Sequence, residues 1–419
     1  MGWNRGRSLK SQFFYRVRSV LVGTLGAQLI SLGVMLLLVR LYSPEELGSF
    51  NVWLSFATIM AVLVTARYEL ALFSGDTNDD SKSIIKLVLL ISVALSILAT
   101  LVIVVASSFI EEVPPIVKNY SVVLAFVVFG MGANKALLSL LAFQQAFNRL
   151  GVARIALAGA IAMAQVLAGY FALGVSGLIY GQAIGVLLAT LLILFWFDRS
   201  WLKACFRGSI GSVKDVAYRY RDFPKLSLPA DLTNTIASQL PIILIASRFG
   251  AEAAGWFALT IKMMGAPITL LATSVLDVFK EQAARDYRVA GSCRSIFLRT
   301  FVVLALLAFP PFLLFWWLGE WAFRFVFGAE WIESGKYAVL LIPMFYMRFI
   351  VSPLSYTIYI AQRQGLDLIW QLGLLVITAA CFLLAGEVTE ALWWYSASYA
   401  IMYVIYFAMS YRCAKGVSS

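Results

Sequence analysis

The chain has no histidine, and only 13% of its 419 residues are charged. Without imidazole there is no histidine general base, histidine metal ligand or histidine proton relay. The shortage of charge excludes more, because a soluble domain carries about a quarter Asp, Glu, Lys and Arg. Acids are scarcer than bases, 22 against 33. Of the four cysteines, Cys205, Cys293 and Cys413 fall in segments expected on the reducing side, and Cys381 falls in a hydrophobic run. No disulfide is expected from them. No stretch is long and polar enough to form a separate extramembrane domain, and neither a metal nor an organic cofactor is implied.

What fills the chain is apolar sequence: 61% of residues are hydrophobic and the mean hydropathy is +0.86. Such a surface is expected to face lipid. A bilayer core takes roughly 20 apolar residues per helix, and twelve runs meet that length. They begin with Val20–Val39 and Phe50–Phe73, include Tyr337–Ile360, and end with Leu366–Leu384 and Ala391–Met409. The first is too long for a signal-peptide core and no small-residue cleavage site follows it, so it is expected to stay as an uncleaved helix. The expectation is an all-α integral membrane protein of about twelve transmembrane helices.

The net charge of +11 raises the question of nucleic acid. Its distribution answers with topology instead. With the N-terminus inside, the cytoplasmic segments hold 24 of the 33 Lys and Arg, and the outer loops hold five: Arg40, Lys118, Arg248, Arg324 and Lys336. That asymmetry is the positive-inside rule and predicts both termini in the cytoplasm.

The longest inner connection, 198–225, divides the chain into six-helix halves, 1–197 and 226–419. After the first helix the chain reads Arg40-Leu-Tyr-Ser-Pro-Glu45-Glu-Leu-Gly48-Ser-Phe50; after the seventh it reads Arg248-Phe-Gly-Ala-Glu252-Ala-Ala-Gly255-Trp-Phe257. Both contain Glu-x-x-Gly-x-Phe at the outer end of the first helix of a half. Six helices between copies give both halves one orientation, a parallel pseudo-two-fold repeat; chance recurrence of a short motif is the alternative. The Glu is expected to cap the next helix and the Gly to permit a tight turn into it. Gly319–Lys336 reads as the largest outer loop, an aromatic-rich interfacial segment.

Ionisable groups at membrane depth are costly and mark interiors or watery cavities. Here they are Arg67, Glu69, Lys135, Asp231, Lys262, Asp277 and Arg348. Asp231, Asn234, Thr235, Ser238 and Gln239 share one helix face, as do Lys262, Thr269, Thr273 and Asp277. Arg348, Ser352, Ser355 and Tyr359 form a third polar stripe, and Thr24, Gln28 and Ser31 a fourth. Such stripes are best buried around a shared hydrated lumen, although Ser, Thr and Gln also glue helices together. Arg348 and Lys262 lie too deep to snorkel easily. Arg67, Lys135, Asp231 and Asp277 lie within about two turns of cytoplasmic ends, where lining or snorkelling accounts for them equally. Glu69, two positions from Arg67, is expected on a different helix face and not as its partner. Four cations, Arg348, Lys262, Arg67 and Lys135, suit an anionic passenger such as a phosphate or pyrophosphate. With no histidine, proton coupling would fall to a carboxylate: Asp231 is the best placed, because it sits on the polar stripe with Asn234 and Ser238, and Asp277 and Glu69 are the other candidates.

Arg40–Phe50, Ala66-Arg-Tyr-Glu-Leu-Ala71, Gln145-Ala-Phe-Asn-Arg149, Phe223-Pro-Lys-Leu-Ser-Leu-Pro229 and Gln239-Leu-Pro241 resemble the Wzx-type O-antigen and exopolysaccharide lipid flippases. Those belong to the multidrug/oligosaccharidyl-lipid/polysaccharide exporter superfamily. The resemblance implies two six-helix lobes alternating access across a central cavity. It also implies cargo of undecaprenyl-pyrophosphate-linked oligosaccharide, moved from the cytoplasmic to the periplasmic leaflet of a bacterial inner membrane. Its implied partners are that lipid-linked oligosaccharide, membrane lipids and other polysaccharide-assembly membrane proteins, with no nucleic acid. A multidrug or toxin exporter is the transport alternative, expected to favour an acidic pocket. A membrane glycosyltransferase or polymerase is the enzyme alternative, which would draw on Glu45/Glu46 or Glu111/Glu112 in outer loops too short to suit it.

Overall fold

Ser43-Pro44-Glu45-Glu46 starts a helix by the chemistry of its side chains. The Glu46 N–H donates to Ser43 Oγ at 3.2 Å, and the Ser43 N–H donates to Glu46 Oε2 at 2.9 Å. This reciprocal box satisfies two orphan donors while Pro44 occupies the first helical position, where its missing N–H costs nothing. The capping Glu is therefore Glu46, one position past the Glu of the repeated motif.

The structure is a computed structural model. It describes residues 3–74, 78–109, 114–197 and 210–416, without the side chains of 3–20, 78–80, 106–109, 210–212, 267, 269–274, 277 and 364. Every regular element among the described residues is helical. In order they are α1 Trp3–Leu41, α2 Pro44–Val64, α3 Asn78–Phe109, the short α4 Pro115–Asn119, α5 Ser121–Phe143, α6 Phe147–Tyr170, α7 Gly174–Phe195 and α8 Ile210–Arg219. There follow α9 Leu228–Phe249, α10 Ala251–Ala290, α11 Arg294–Phe327, α12 Ile332–Leu340, α13 Ile342–Leu354, α14 Tyr356–Ile360, α15 Gln364–Leu384 and α16 Val388–Lys415. Among the described residues, eight single helices are long and apolar enough to cross a membrane, and the bent pair 329–340 and 342–360 makes a ninth. The chain is a multi-pass membrane protein. Helices α9, α10 and α16, of 22, 40 and 28 residues, are long enough to span but less uniformly apolar.

Two of the expected spans are interrupted. The run Phe50–Phe73 is helical only to Val64; Ala66 and Arg67 then take positive φ, 45° and 61°, and Tyr68–Phe73 forms a tight 3-10 segment. The run Tyr337–Ile360 bends by 53° at Leu341, where Pro343 cannot donate to the preceding turn. Gly319–Lys336 is not a loop: α11 continues through it to Phe327, and α12 begins at Ile332. Arg154, one of the 24 cations assigned to cytoplasmic segments, stands inside α6 and donates to Thr24 Oγ1 of α1.

The chain divides into two compact units, 1–42 with 49–236, and 43–48 with 237–419. In the first, α1 packs on α6, α6 on α7, and α5 on both α3 and α7. A Cβ on Gly23 would collide with the backbone of Gly151, so α1 and α6 touch main chain to main chain, as small residues permit in lipid. A buried cluster of Tyr68, Leu72, Ile84, Val88, Leu140 and Val216 joins the 3-10 segment to α3, α5 and α8.

The second unit is built on aromatic rings. Phe257 of α10 meets Phe382 of α15 and Tyr395 of α16 edge-on, at 6.4 and 6.5 Å. Tyr395, Tyr399, Tyr403 and Tyr406 of α16 are all buried, and Trp370 stacks on Tyr406 at 4.0 Å. Arg248 donates to the carbonyls of Leu383 and Ala385, placing a cation at the negative end of α15.

The repeated glycines do not sit in turns. Gly48 is the fifth residue of α2 and Gly255 the fifth of α10. A Cβ on Gly48 would strike the carbonyl of Ala251, and one on Gly255 would strike the carbonyl of Pro44. The two copies of the motif meet each other, each glycine making room for the other's first turn.

Candidate functional site

The break after Val64 aims a charged side chain. Two successive residues with positive φ, neither of them glycine, are costly backbone held by its surroundings. They turn the chain so that Arg67 precedes the 3-10 segment and Glu69 lies inside it, 1% exposed. In that geometry the α-helical two-residue spacing no longer applies. Arg67 Nη1 reaches Glu69 Oε1 at 3.2 Å, so Glu69 is Arg67's partner, contrary to the expectation from helix faces. Lys135 of α5 reaches the same oxygen at 3.0 Å, and Arg67 Nη2 also pairs with Asp231 of α9. Tyr68 Oη donates to the Ala217 carbonyl of α8 at 3.0 Å.

Two cations and two acids thus form one network in the first unit. Arg67 and Lys135 are matched by Glu69 and Asp231 and are not two unopposed positive charges. Glu69 Oε2 and Arg67 Nε are buried without a hydrogen-bond partner among the described residues, so each ion keeps unused bonding capacity.

The remaining polar positions lie elsewhere. Gln28 of α1 is half-buried, with its side-chain oxygen unpartnered among the described residues. Along α9, Asp231 and Gln239 are half-buried while Asn234 and Ser238 are exposed, and Gln239 donates to Ser238 at 3.2 Å. In the second unit Lys262 of α10 is half-buried, and the side chain of Asp277 lies outside the described residues. Arg348 of α13 is exposed, as are Ser352 and Tyr359 on the same stripe, while their neighbours Phe349, Ile350, Val351 and Leu354 are buried. Arg348 lies near the buried Tyr395 and Tyr403 of α16.

One buried acid escapes a reading of the sequence. Asp367 of α15, 6% exposed, accepts from Tyr359 Oη and Gln371 Nε2 at 2.8 Å each, and from Tyr406 Oη. It stands one residue inside an apolar run, where an acid passes for a helix-end residue. The signal was the row of tyrosines on α16, whose hydroxyls need an acceptor when buried.

The fold matches solved transporters over most of its length. Lipid II flippase MurJ, in an inward closed conformation, aligns with a TM-score of 0.68 and 15% identity, covering 94% of this chain and 87% of that one. An inward-facing multidrug resistance MATE family transporter of the MOP superfamily aligns with a TM-score of 0.67 and 13% identity, covering 93% and 97%. At such identities the likeness is one of fold. In sequence, the teichuronic acid biosynthesis protein TuaB of Bacillus subtilis (strain 168) is 25% identical over 217 residues, 51% of this chain and 44% of that protein. The aligned part spans less than half of that relative's length. A family model described as polysaccharide biosynthesis protein matches residues 37–336. This chain of helices, with the fold of the MOP superfamily transporters, belongs to the polysaccharide biosynthesis protein family.

Proposed function

We propose that the protein is a flippase for an undecaprenyl-pyrophosphate-linked oligosaccharide, carrying it from the cytoplasmic to the periplasmic leaflet of a bacterial inner membrane by alternating access. If α9, α10 and α16 span alongside the nine apolar candidates, the helices number twelve, in two six-helix lobes of one orientation with both termini inside. Family membership and fold support a transporter acting in polysaccharide assembly. The observation that carries the reading is Arg348, a cation exposed in the middle of a span while Phe349, Ile350, Val351 and Leu354 beside it are buried. A guanidinium there is expensive unless it meets water or an anion, and its planar fork suits phosphate oxygens.

Arg348 and Lys262 are the proposed pyrophosphate contacts. Arg67 and Lys135 hold a lesser part in the proposal, because both already bind acids. Gln28, Asn234, Ser238 and Gln239 are proposed to line the path. Of the acids, Glu69 is the proposed proton carrier in place of Asp231, because its side chain is 1% exposed, whereas Asp231 meets Arg67 from a more open position. A multidrug-type exporter would need an acid open to a cationic drug. Glu69, Asp231 and Asp367 are each engaged by donors of this chain, which favours the anionic cargo.

Deleting the gene tests the reading. Lipid-linked oligosaccharide should accumulate in the cytoplasmic leaflet, and the wild-type gene should restore surface polysaccharide. Normal export without the gene would remove the proposal.

A further inference from the structure

We propose that the outer end of α11 carries a carbohydrate-binding platform made of Trp316, Trp317, Trp321, Glu320 and Arg324; its place outside the membrane rests on the flippase topology proposed above. These side chains, with Ile332, line a recess of about 470 Å³. None of its lining residues belongs to the charged network, and Arg348 is not among them.

Helix length sets the depth. Phe301–Leu318 contains no polar residue, and its length of about 27 Å at 1.5 Å per residue nearly fills a hydrocarbon core of about 30 Å. Glu320 is the first charge beyond that stretch, and α11 continues to Phe327, so its last turns rise into the interface and the water. Trp317 and Trp321 are 80% and 61% exposed. Trp321 lies nearly parallel to Phe325, with ring centroids 5.2 Å apart and planes at 8°, which fixes the orientation of the indole.

The mixture of groups selects the ligand. Indole faces carry partial negative charge and attract the C–H faces of sugar rings. Hydroxyl groups both donate and accept, so a sugar can satisfy a carboxylate, which only accepts, and a guanidinium, which only donates. A phosphate would be repelled by Glu320 and an ammonium by Arg324. An acyl chain seated in the recess would strip water from both charges and return nothing. Anchoring in a headgroup belt also accounts for exposed tryptophans, and a zwitterionic headgroup could pair its phosphate with Arg324 and its ammonium with Glu320; that occupant is the outcome that would overturn the platform. A neutral, hydroxyl-rich saccharide satisfies both charges and also covers the exposed indole faces of Trp317 and Trp321. A platform at this end would receive the glycan portion of the cargo as it leaves the transport path.

The test uses full-length protein in nanodiscs and free oligosaccharides released by hydrolysis from the producing cell's own surface polysaccharide. Saturation-transfer NMR should carry magnetisation from protein aromatic protons to sugar C–H protons. Trp317→Ala and Trp321→Ala should each weaken binding about two- to tenfold, the range for one stacked ring, and Trp321→Phe should keep most of it. Variants are compared at equal size-exclusion profile, so that a folding defect is not mistaken for lost binding. No transfer to the sugars, or transfer unchanged in both alanine variants, overturns the platform and leaves the indoles as membrane anchors. A wild-type protein that restores export but shows no transfer sinks the platform alone. One that binds sugar but restores no export sinks the flippase reading alone.

Discussion

Replacing Glu69 by Gln removes the one carboxylate that Arg67 and Lys135 share, at 3.2 and 3.0 Å. Glu69 is 1% exposed, but its partners' side chains are 19% and 34% exposed. Breaking a fully buried pair costs about 3–5 kcal/mol, because the surviving charge stays desolvated. Here both cations reach water in part and Arg67 keeps Asp231, so the loss should be nearer 2–3 kcal/mol, between buried and surface values. The double-mutant cycle of Glu69→Gln with Lys135→Met isolates the pair from everything else the substitutions disturb. Reversible SDS unfolding in mixed micelles supplies the four free energies. The double variant should recover at least ~1 kcal/mol relative to the sum of the singles, since Lys135 is the cation left most exposed to the loss. Strict additivity would refute the network, and would return Lys135 to the pool of cations open to cargo.

Gly48→Ala and Gly255→Ala should each cost about 1–3 kcal/mol in the same assay, because the added methyl meets main-chain carbonyls that cannot rotate away; a neutral effect at both would contradict the close crossing. Asp367→Leu should destabilise more than Asp367→Asn, since Asn keeps an acceptor for the three donors from Tyr359, Gln371 and Tyr406; equal losses would mean the hydrogen bonds contribute nothing. Cys293, buried ahead of α11, has its thiol pushed up to about 11 by burial first and by the nearby Asp286 carboxylate second. At pH 8 only about one molecule in a thousand would be thiolate, so maleimide labelling of the native protein should be slow and should quicken steadily up to about pH 11; fast labelling at pH 7 would show the site to be open.

The helices were legible because apolar runs of bilayer length have few other uses, and the fold class follows from them. The break at Thr65-Ala66-Arg67 was not, since it contains neither Gly nor Pro and its positive φ angles are imposed by packing around Tyr68 and Leu72. That break also decides that Glu69 meets Arg67, so an argument from helix faces failed where the helix had ended. The repeated Glu-x-x-Gly-x-Phe was visible, but its meaning was not: the glycine serves a neighbour about 200 residues away in sequence, which no local pattern encodes. Asp367 was hidden by its position at the start of an apolar run, and only the tyrosines of α16 in three dimensions reveal it as a buried centre. The depth of Arg348 in its span was legible in the sequence, and its side chain is exposed on the polar stripe shared with Ser352 and Tyr359; its contact with cargo is a proposal.

Translocation by purified protein is the most direct measurement. Proteoliposomes would be loaded with undecaprenyl-pyrophosphate-linked oligosaccharide, and the fraction open to a membrane-impermeant glycosidase followed in time, at matched protein level. Wild-type protein should raise the rate of exposure well above that of protein-free vesicles. Arg348→Ala should lower it by about 10- to 150-fold, the equivalent of 1.5–3 kcal/mol for one hydrogen bond to a charged group, while Arg348→Lys should retain part of the activity. Exposure no faster than in protein-free vesicles, or an Arg348→Ala protein as fast as wild type, would contradict the account.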